Sequence, residues 1–191
     1  MTILRIDASP RGERSVSRQV LDRIEAKVGP ADVRRDLTET PLPHLSGTWA
    51  EATFTPPDAR TEAHREALAQ SDALVAELRA ADTILISTPM YNFTVPSSLK
   101  AYFDLVARVG VTFKYTEQGP VGLLEDKRVV VAVATGGTEL GSDADYLSGY
   151  VRFFLGFIGI TDVTFVAAEK TMSDEAEAKD RAAGQVEALA A

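Results

Sequence analysis

The sequence contains no cysteine among its 191 residues, and this absence narrows the chemistry open to it. Without a thiol there is no disulfide bond, no thiolate nucleophile and no cysteine-ligated metal. Histidine is nearly as scarce, because only His44 and His64 occur and they fall in different predicted elements. A zinc centre or a Ser-His-Asp site therefore has little support, and we predict no metal site. Any redox reaction would need an organic cofactor to carry the electrons.

Basic residues are also fewer than acidic residues. The chain has 28 acidic and 20 basic residues, which gives a formal net charge of -8. This balance disfavours nucleic acid or an anionic membrane as the main partner, although a local basic loop could still hold one phosphate. Long apolar runs are missing too, since the run Val129–Ala134 is far too short to cross a bilayer and the first residues lack the pattern of a signal peptide. We therefore expect a cytoplasmic protein with no nucleic-acid or membrane partner.

Short apolar runs alternate along the chain with segments of helical periodicity. The runs predict five strands, of which the second is weak and suits a sheet edge: residues 3–6, 33–37, 83–88, 128–134 and 163–168. The periodic segments predict helices at residues 16–28, about 59–80, 96–106, 146–157 and 174–191. Strands that alternate with helices need crossover connections, so we expect an α/β fold with a parallel sheet covered on both faces.

The segments between these elements carry further expectations. Thr38–Pro57 is rich in proline and threonine and predicts a long loop, of a length that is usually functional or mobile. Thr112–Tyr115 is expected to be extended, and Gly119-Pro120 to turn the chain. No internal repeat or linker divides the sequence, so residues 1–191 are expected to form a single domain.

Three loops follow the three best-defined strands and are the candidate site. They are the first loop (Ser9–Ser17), the second loop (Pro89–Phe93) and the third loop (Ala134–Thr138). In an open α/β sheet, ligands bind beyond the carboxyl ends of the strands, where the strand order reverses. We therefore expect the three loops to converge on one ligand.

The first loop has the pattern S-x-R-x-x-x-S-x-S and leads directly into a helix. The hydroxyl groups of Ser9, Ser15 and Ser17, with the free N–H groups of a helix start, suit a phosphate. The alternative is that Ser15 or Ser17 is an ordinary helix N-cap. The loop matches neither G-x-x-x-x-G-K-[ST] nor G-x-G-x-x-G, so a kinase or NTPase is disfavoured.

The second and third loops suit the ring of a cofactor. The segment Met90-Tyr91-Asn92-Phe93 would offer apolar and aromatic groups beside polar backbone, as a flat conjugated ring requires. Met90 and Phe93 could instead fill the core where helix meets sheet. In the third loop, Gly136-Gly137 permits a close backbone approach or a turn with positive φ. His44 is expected at the surface or the rim of a pocket, and His64 on a solvated helix face.

The sequence resembles a known family, the bacterial FMN-dependent, NADH-using azoreductases with a flavodoxin-like fold. The resemblance covers nearly the whole chain in the right order. The segments that carry it are Ser9-Pro10-Arg11 with Ser15-Val16-Ser17, Pro89-Met90-Tyr91-Asn92-Phe93, Leu99-Lys100-Ala101-Tyr102-Phe103-Asp104, Arg108-Val109-Gly110-Val111-Thr112-Phe113-Lys114-Tyr115, Gly119-Pro120-Val121-Gly122-Leu123, Gly136-Gly137 and Phe154–Val163.

This resemblance implies a flavodoxin-like, doubly wound, five-stranded parallel sheet in a three-layer αβα arrangement. It implies a homodimer with FMN in each subunit. The implied cofactor-binding residues are Ser9, Arg11, Ser15, Val16, Ser17, Pro89, Met90, Tyr91, Asn92, Phe93, Thr135, Gly136, Gly137 and Thr138. Tyr115 and Phe157 match aromatic residues of the substrate pocket, the latter reaching across from the partner subunit. Many members carry Ser-Arg where this chain has Ala134-Thr135, so a charged contact near the flavin or substrate is absent.

The implied activity is ping-pong hydride transfer from NADH through FMN to quinones, and reductive cleavage of azo bonds to amines. No side chain is implied as a catalytic acid or base, because the chemistry belongs to FMN. Three rivals stay open: a flavodoxin-type carrier of single electrons, a nucleotide-responsive binding module, and an FAD-dependent quinone reductase. The apolar stretch Phe153–Ile160 favours a buried dimer interface over the monomer expected of a carrier.

Overall fold

A computed structural model describes residues 1–189, in which the chain alternates strands and helices as expected. The strands are β1 (Ile3–Asp7), β2 (Val33–Asp36), β3 (Thr83–Pro89), β4 (Phe113–Thr116), β5 (Gly119–Gly122), β6 (Arg128–Ala134) and β7 (Asp162–Ala168). The α-helices are α1 (Val16–Val28), α2 (Gly47–Phe54), α3 (Glu62–Ala80), α4 (Ser97–Val106), α5 (Ser148–Phe157) and α6 (Glu175–Ala188).

Five strands form one parallel sheet in the order β2-β1-β3-β6-β7, which confirms the predicted doubly wound arrangement. The weak strand β2 lies at the edge, as its sequence indicated. Asp7 pairs with Ser87, and Pro89 pairs with Ala134, so β1, β3 and β6 end at the same edge of the sheet. The loops that leave these strands therefore start close together.

Helices cover both faces of the sheet, which confirms the three-layer αβα arrangement. Every residue of β3 is buried, and alternate residues point to opposite faces. On one face, Leu85 and Val130 belong to a core that they share with α1 and α6. On the other, Ile84 and Ile86 belong to a larger core that includes residues of α2, α3, α4 and α5.

The prediction that Thr38–Pro57 is entirely a loop is wrong, because it contains helix α2. The Ser46 hydroxyl accepts a hydrogen bond from the Trp49 N–H at 3.1 Å and caps the helix start. Trp49 and Ala52 are buried against the main core, and this packing offsets the weak helical propensity of the segment.

The same helix changes the position of His64, which is not the solvated side chain that we expected. Only 11% of its side chain is exposed, and its Nε2 lies 3.8 Å from a carboxylate oxygen of Glu51 on α2. Its Nδ1 is buried and has no hydrogen-bond partner. His44, in contrast, is exposed, as expected of a surface residue.

Other differences concern element boundaries. Gly119-Pro120 does not turn the chain but begins β5, which pairs antiparallel with β4, and the turn is at Glu117 and Gln118. Helix α3 starts at Glu62 because Pro57–Ala59 forms a separate 3-10 turn. Helix α5 starts at Ser148, two residues later than predicted. The last helix is observed to Ala188, and the end of the predicted helix, residues 190–191, lies outside the described residues.

Within residues 1–189, no helix combines the length and the hydropathy that a bilayer crossing requires.

Candidate functional site

A cavity of about 250 Å³ lies at the carboxyl ends of β1, β3 and β6. All three predicted loops contribute to its wall, and so does a fourth loop that follows β7. The residues that line it are Ser9, Arg11, Ser15, Val16, Pro89, Met90, Tyr91, Ala134, Thr135, Gly136, Thr171 and Met172. Hydroxyl and guanidinium groups lie in the first loop, whereas the second loop contributes mainly apolar groups, so the cavity has a polar part and an apolar part.

The first loop turns sharply before it enters α1. Gly12 has a φ of +55°, which glycine adopts without strain, and residues Gly12–Arg14 form a 3-10 turn. Ser15 then caps α1, because its hydroxyl accepts a hydrogen bond from the Arg18 N–H at 3.4 Å. The N-cap reading of Ser15 is therefore correct, and Ser15 lines the cavity as well.

The hydroxyl groups of the first loop are clustered and buried. Ser9, Ser15 and Ser17 are all buried, and the hydroxyl oxygens of Ser15 and Ser17 are 3.1 Å apart. The N–H groups of Val16 and Ser17 belong to the first turn of α1, where amides have no carbonyl partner within the helix. This set of donors, at the positive end of the helix dipole, suits a phosphate.

Arg18 holds the first loop against the end of β2. Its guanidinium donates to the Ser9 carbonyl at 2.6 Å and forms an ion pair with Asp36. Burial alone would raise the pKa of Asp36, but hydrogen bonds from Arg18 and from the Thr38 N–H and hydroxyl lower it to about 2. Asp36 therefore keeps its charge, and Arg18 stays in place, throughout the neutral range.

A buried ionic network joins β1, β3 and α1 next to the first loop. Arg5 donates to Asp7 at 2.8 Å and to Glu25 at 2.6 Å, and Asp7 also accepts from the Ser87 hydroxyl at 2.6 Å. Burial by itself would lower the pKa of Arg5, yet these carboxylates raise it above its usual value. Asp7 is the last residue of β1 and Ser87 lies two residues before the end of β3, so the network joins the two strands just before the first and second loops leave them.

The second loop makes a tight turn with strained backbone. Asn92 and Phe93 have φ values of +49° and +72°, and reciprocal hydrogen bonds of 3.0 and 3.1 Å between Tyr91 and Thr94 close the turn. Non-glycine residues rarely adopt this conformation, and they keep it only where the surrounding structure enforces it. The turn leaves Phe93 56% exposed, so Phe93 does not fill the core.

Met90 and Tyr91 occupy the entrance of this loop. The Met90 N–H donates to the Ala134 carbonyl at 2.8 Å and so joins the second loop to the end of β6. Met90 packs against the core and also lines the cavity, so both interpretations of this residue hold. Tyr91 and Asn92 line an adjoining groove of about 630 Å³ beside Thr38 and the start of α4.

In the third loop, Thr135 is buried and its hydroxyl donates to the Thr138 carbonyl. Neither Gly136 nor Gly137 has a positive φ, so a left-handed turn is not the reason for this glycine pair. The space at Gly136 is limited, because a Cβ there would lie 2.9 Å from the Met172 sulfur. Gly136 is therefore close to a side chain of its own chain, whereas Gly137 is open, and the predicted close approach of this backbone to a ligand stays a prediction.

The fourth loop (Glu169–Asp174) was missed from the sequence although a signal was available. Residues 163–168 were predicted as a parallel strand, and the rule that selected the other three loops applies equally to its carboxyl end. Thr171 donates to the Thr135 carbonyl from its N–H at 3.0 Å and from its hydroxyl at 2.9 Å. Thr171 and Met172 both line the cavity.

The structure brings together only part of the predicted site within one chain. Five of the predicted cofactor-binding residues do not line the cavity, although they lie within one or two positions of residues that do: Ser17, Asn92, Phe93, Gly137 and Thr138. Tyr115 and Phe157 also lie elsewhere. Each packs against Phe113, with ring centroids 5.5 and 4.3 Å away, between the β4–β5 hairpin and the end of α5.

Comparison with known proteins assigns the family. A family model described as "Flavodoxin-like fold" matches residues 1–190. The chain belongs to this family. The family resemblance and the fold predicted from the sequence motifs are thereby confirmed.

Individual relatives are similar over nearly their whole length. A protein of Jannaschia sp. (strain CCS1) named FMN-dependent NADH:quinone oxidoreductase 1 is 57% identical, over 99% of this chain and 98% of its own. A protein of the same name from Hahella chejuensis (strain KCTC 2396) is 49% identical, over 99% and 97% of the two chains. The crystal structure of an FMN-dependent NADH-azoreductase from Bacillus anthracis str. Ames Ancestor in complex with FMN has a TM-score of 0.85 at 28% identity, over 98% and 97% of the two chains.

Proposed function

We propose that this protein is an FMN-dependent NADH:quinone oxidoreductase that also reduces azo compounds. The single observation that carries the proposal is the cavity at the ends of β1, β3 and β6, in which buried hydroxyl groups and a helix start adjoin apolar groups of the second loop. Full-length relatives named for this activity, at 57% and 49% identity, support it.

The residues fit FMN in two parts. The phosphate would lie on the first loop, against Ser9, Arg11, Ser15, Val16 and Ser17, since these supply hydroxyl, guanidinium and helix N–H donors. The ring would lie along the second loop, residues 89–93, with the third loop at residues 135–138 as its other boundary. Apolar side chains beside fixed backbone groups are what a flat ring requires.

FMN, when bound, would supply the redox chemistry, namely hydride transfer from NADH to a quinone and, over two rounds, reduction of an azo bond to two amines. The side chains bind and orient the reactants rather than exchange protons with them. Neither histidine lines the cavity, and Asp7 is held beneath the site by Arg5 and Ser87. Solvent would therefore provide the proton that the product needs.

We further propose that the protein works as a cytoplasmic homodimer of single-domain subunits. The stretch Phe153–Ile160 supports this only in part, because Leu155, Ile158 and Ile160 are buried within their own subunit. Phe153, however, is 74% exposed on α5, and Tyr115 is exposed on the neighbouring hairpin. A second copy covering these residues would let Phe157 of one subunit reach the substrate pocket of the other, as the family resemblance implies.

The test starts from purified protein. Acid release of its bound cofactor should give FMN, and NADH added without oxygen should bleach the flavin absorbance, which a quinone should then restore. Released FAD would identify an FAD-dependent quinone reductase instead. Bound FMN that NADH does not bleach would identify an electron carrier, and a protein without turnover on any quinone would favour a binding module.

A further inference from the structure

Met172 is an unusual side chain for its position. It is 88% exposed, the highest exposure of any large apolar residue in the described part of the chain, and yet it lines the cavity. An isolated exposed apolar residue needs no explanation by itself. Met172 calls for one because it also lines the cavity.

The fourth loop is fixed to the third by several hydrogen bonds. The Met172 N–H donates to the Gly136 carbonyl at 3.1 Å, and the Thr171 N–H donates to the Thr135 carbonyl at 3.0 Å. Glu169 accepts from the Leu140 N–H at 2.6 Å, and Lys170 forms an ion pair with Glu139. The backbone therefore holds the methionine at one place beside the cavity.

Gly136 leaves the room that the methionine occupies. A Cβ on Gly136 would lie 2.9 Å from the Met172 sulfur and 3.3 Å from its Cγ, so an alanine there would displace the Met172 side chain. At the adjacent Gly137 a Cβ would meet nothing within 4 Å. Of the two glycines, only Gly136 approaches the Met172 side chain, and only Gly136 lines the cavity.

We propose that Met172 is a flavin-contacting residue that covers the apolar part of the cavity, which Met90 also lines. This inference rests on the proposed function, because it takes FMN to be the occupant. A thioether is polarisable and packs favourably against an aromatic ring, and a flexible side chain can adjust to the ring as it enters. Binding of the ring would also bury an apolar side chain that is otherwise exposed to water.

The first experiment measures dissociation constants of FMN and of riboflavin, which lacks the phosphate, for the cofactor-free protein by flavin fluorescence. Met172→Ala and Met172→Gln should weaken both ligands by the same factor, about 2- to 10-fold, because the lost contact is with the ring. Met172→Leu, which keeps an apolar side chain, should stay within about 2-fold of the wild type. All three variants keep the backbone N–H that donates to Gly136.

The second experiment is a double-mutant cycle. Gly136→Ala should weaken FMN binding in the wild-type background but add nothing to Met172→Ala, because the side chain that it displaces is then gone. Gly137→Ala is the matched control, and its effect, whatever its size, should be equal in both backgrounds.

Unchanged affinity of both flavins for Met172→Ala and Met172→Gln would overturn the role of Met172 and leave the proposed function standing. Equal effects of Gly136→Ala in the two backgrounds would also overturn it. A wild-type protein that binds neither FMN nor riboflavin would overturn the proposed function, and the proposed contact of Met172 with the flavin would fall with it.

Discussion

At the scale of single residues, the first loop makes the sharpest prediction about the cofactor. The Ser17 hydroxyl lies 3.1 Å from that of Ser15, at the start of α1, where we place the phosphate. A carboxylate there would repel the phosphate by about 4 kcal/mol at about 4 Å and an effective dielectric constant of about 20. Ser17→Asp should therefore weaken FMN binding at least about tenfold.

Riboflavin is the control for this prediction, since it has no phosphate to repel. Its affinity for Ser17→Asp should fall much less than that of FMN, with both measured by flavin fluorescence. Equal losses for the two ligands would mean that the buried carboxylate distorts the loop, and the phosphate would then not lie at Ser17.

Tyr115 makes a second prediction, about substrates. Its ring is 68% exposed and packs edge-on against Phe113, away from the cavity of its own subunit. Tyr115→Ala should therefore change the ratio of kcat/KM between a quinone and an azo dye by about tenfold, the effect of about 1.4 kcal/mol, through loss of an aromatic contact. The FMN content of the purified variant should match that of the wild type. Loss of flavin would place Tyr115 in the cofactor site instead.

Much of the site could be predicted at this scale, because ligands bind beyond the carboxyl ends of parallel strands, and this rule needs only the positions of the strands. It located Ser9, Ser15, Met90 and Gly136 correctly at one cavity. Two features could not be derived from residue types. The positive φ values of Asn92 and Phe93 depend on a turn that the neighbouring strands enforce, and the reason for Gly136 lies in Met172, which is distant in sequence.

At the scale of elements, α2 depends on its cap and on two buried residues. Ser46→Ala removes the oxygen that accepts the Trp49 N–H and should lower the free energy of unfolding by about 1 kcal/mol. Trp49 is the one tryptophan of the chain, so its fluorescence reports on this helix. In Ser46→Ala the Trp49 ring should become more accessible, and a soluble quencher should reduce its fluorescence more strongly. Thr48→Ala, at an exposed position of the same helix, is the control and should change neither quantity.

The sequence did not predict α2 because composition and packing point in opposite directions there. Prolines at 41, 43, 56 and 57 flank the helix and give the whole segment the composition of a loop. The alternating β and α elements needed no such tertiary information, since short apolar runs and helical periodicity are local signals. The failure to predict α2 also bears on the error at His64, whose Nε2 lies 3.8 Å from Glu51 on that helix.

The link from β2 to α1 predicts how stability depends on pH. The pKa of Asp36 is lowered from 3.8 to about 2 in the folded protein, so its stabilising effect is complete above about 3.8 and is lost as the pH falls toward 2. Asp36→Asn should lower the free energy of unfolding near neutral pH by about 2 kcal/mol and flatten its decline in this acidic window. Asp58→Asn makes the same charge change at an exposed position and should leave the curve as it is. An unchanged acid transition for Asp36→Asn would show that the loss of stability in this window does not come from Asp36.

At the scale of the whole molecule, α5 is the place to test the proposed dimer. Phe153→Glu puts a charge on an exposed apolar residue and should raise the dimer dissociation constant at least about tenfold, since a buried interface cannot hydrate it. Sedimentation at several concentrations measures this, and circular dichroism should show an unchanged fold. A wild-type protein that sediments as a monomer at every concentration would contradict the dimer itself.

The strand order has a kinetic consequence. Strand β1 is made first during synthesis, yet it pairs with β3, whose partner residues lie about 80 positions later. The sheet is complete only when the edge strand β7 has been made. Such distant pairings make folding slow, because the chain loses the entropy of closing a long loop before the strand pairing stabilises it. The four loops around the cavity can meet only in the last stage of this process. Recovery of flavin binding during refolding should therefore lag behind the recovery of helical signal, and bound flavin would stabilise only the fully assembled chain.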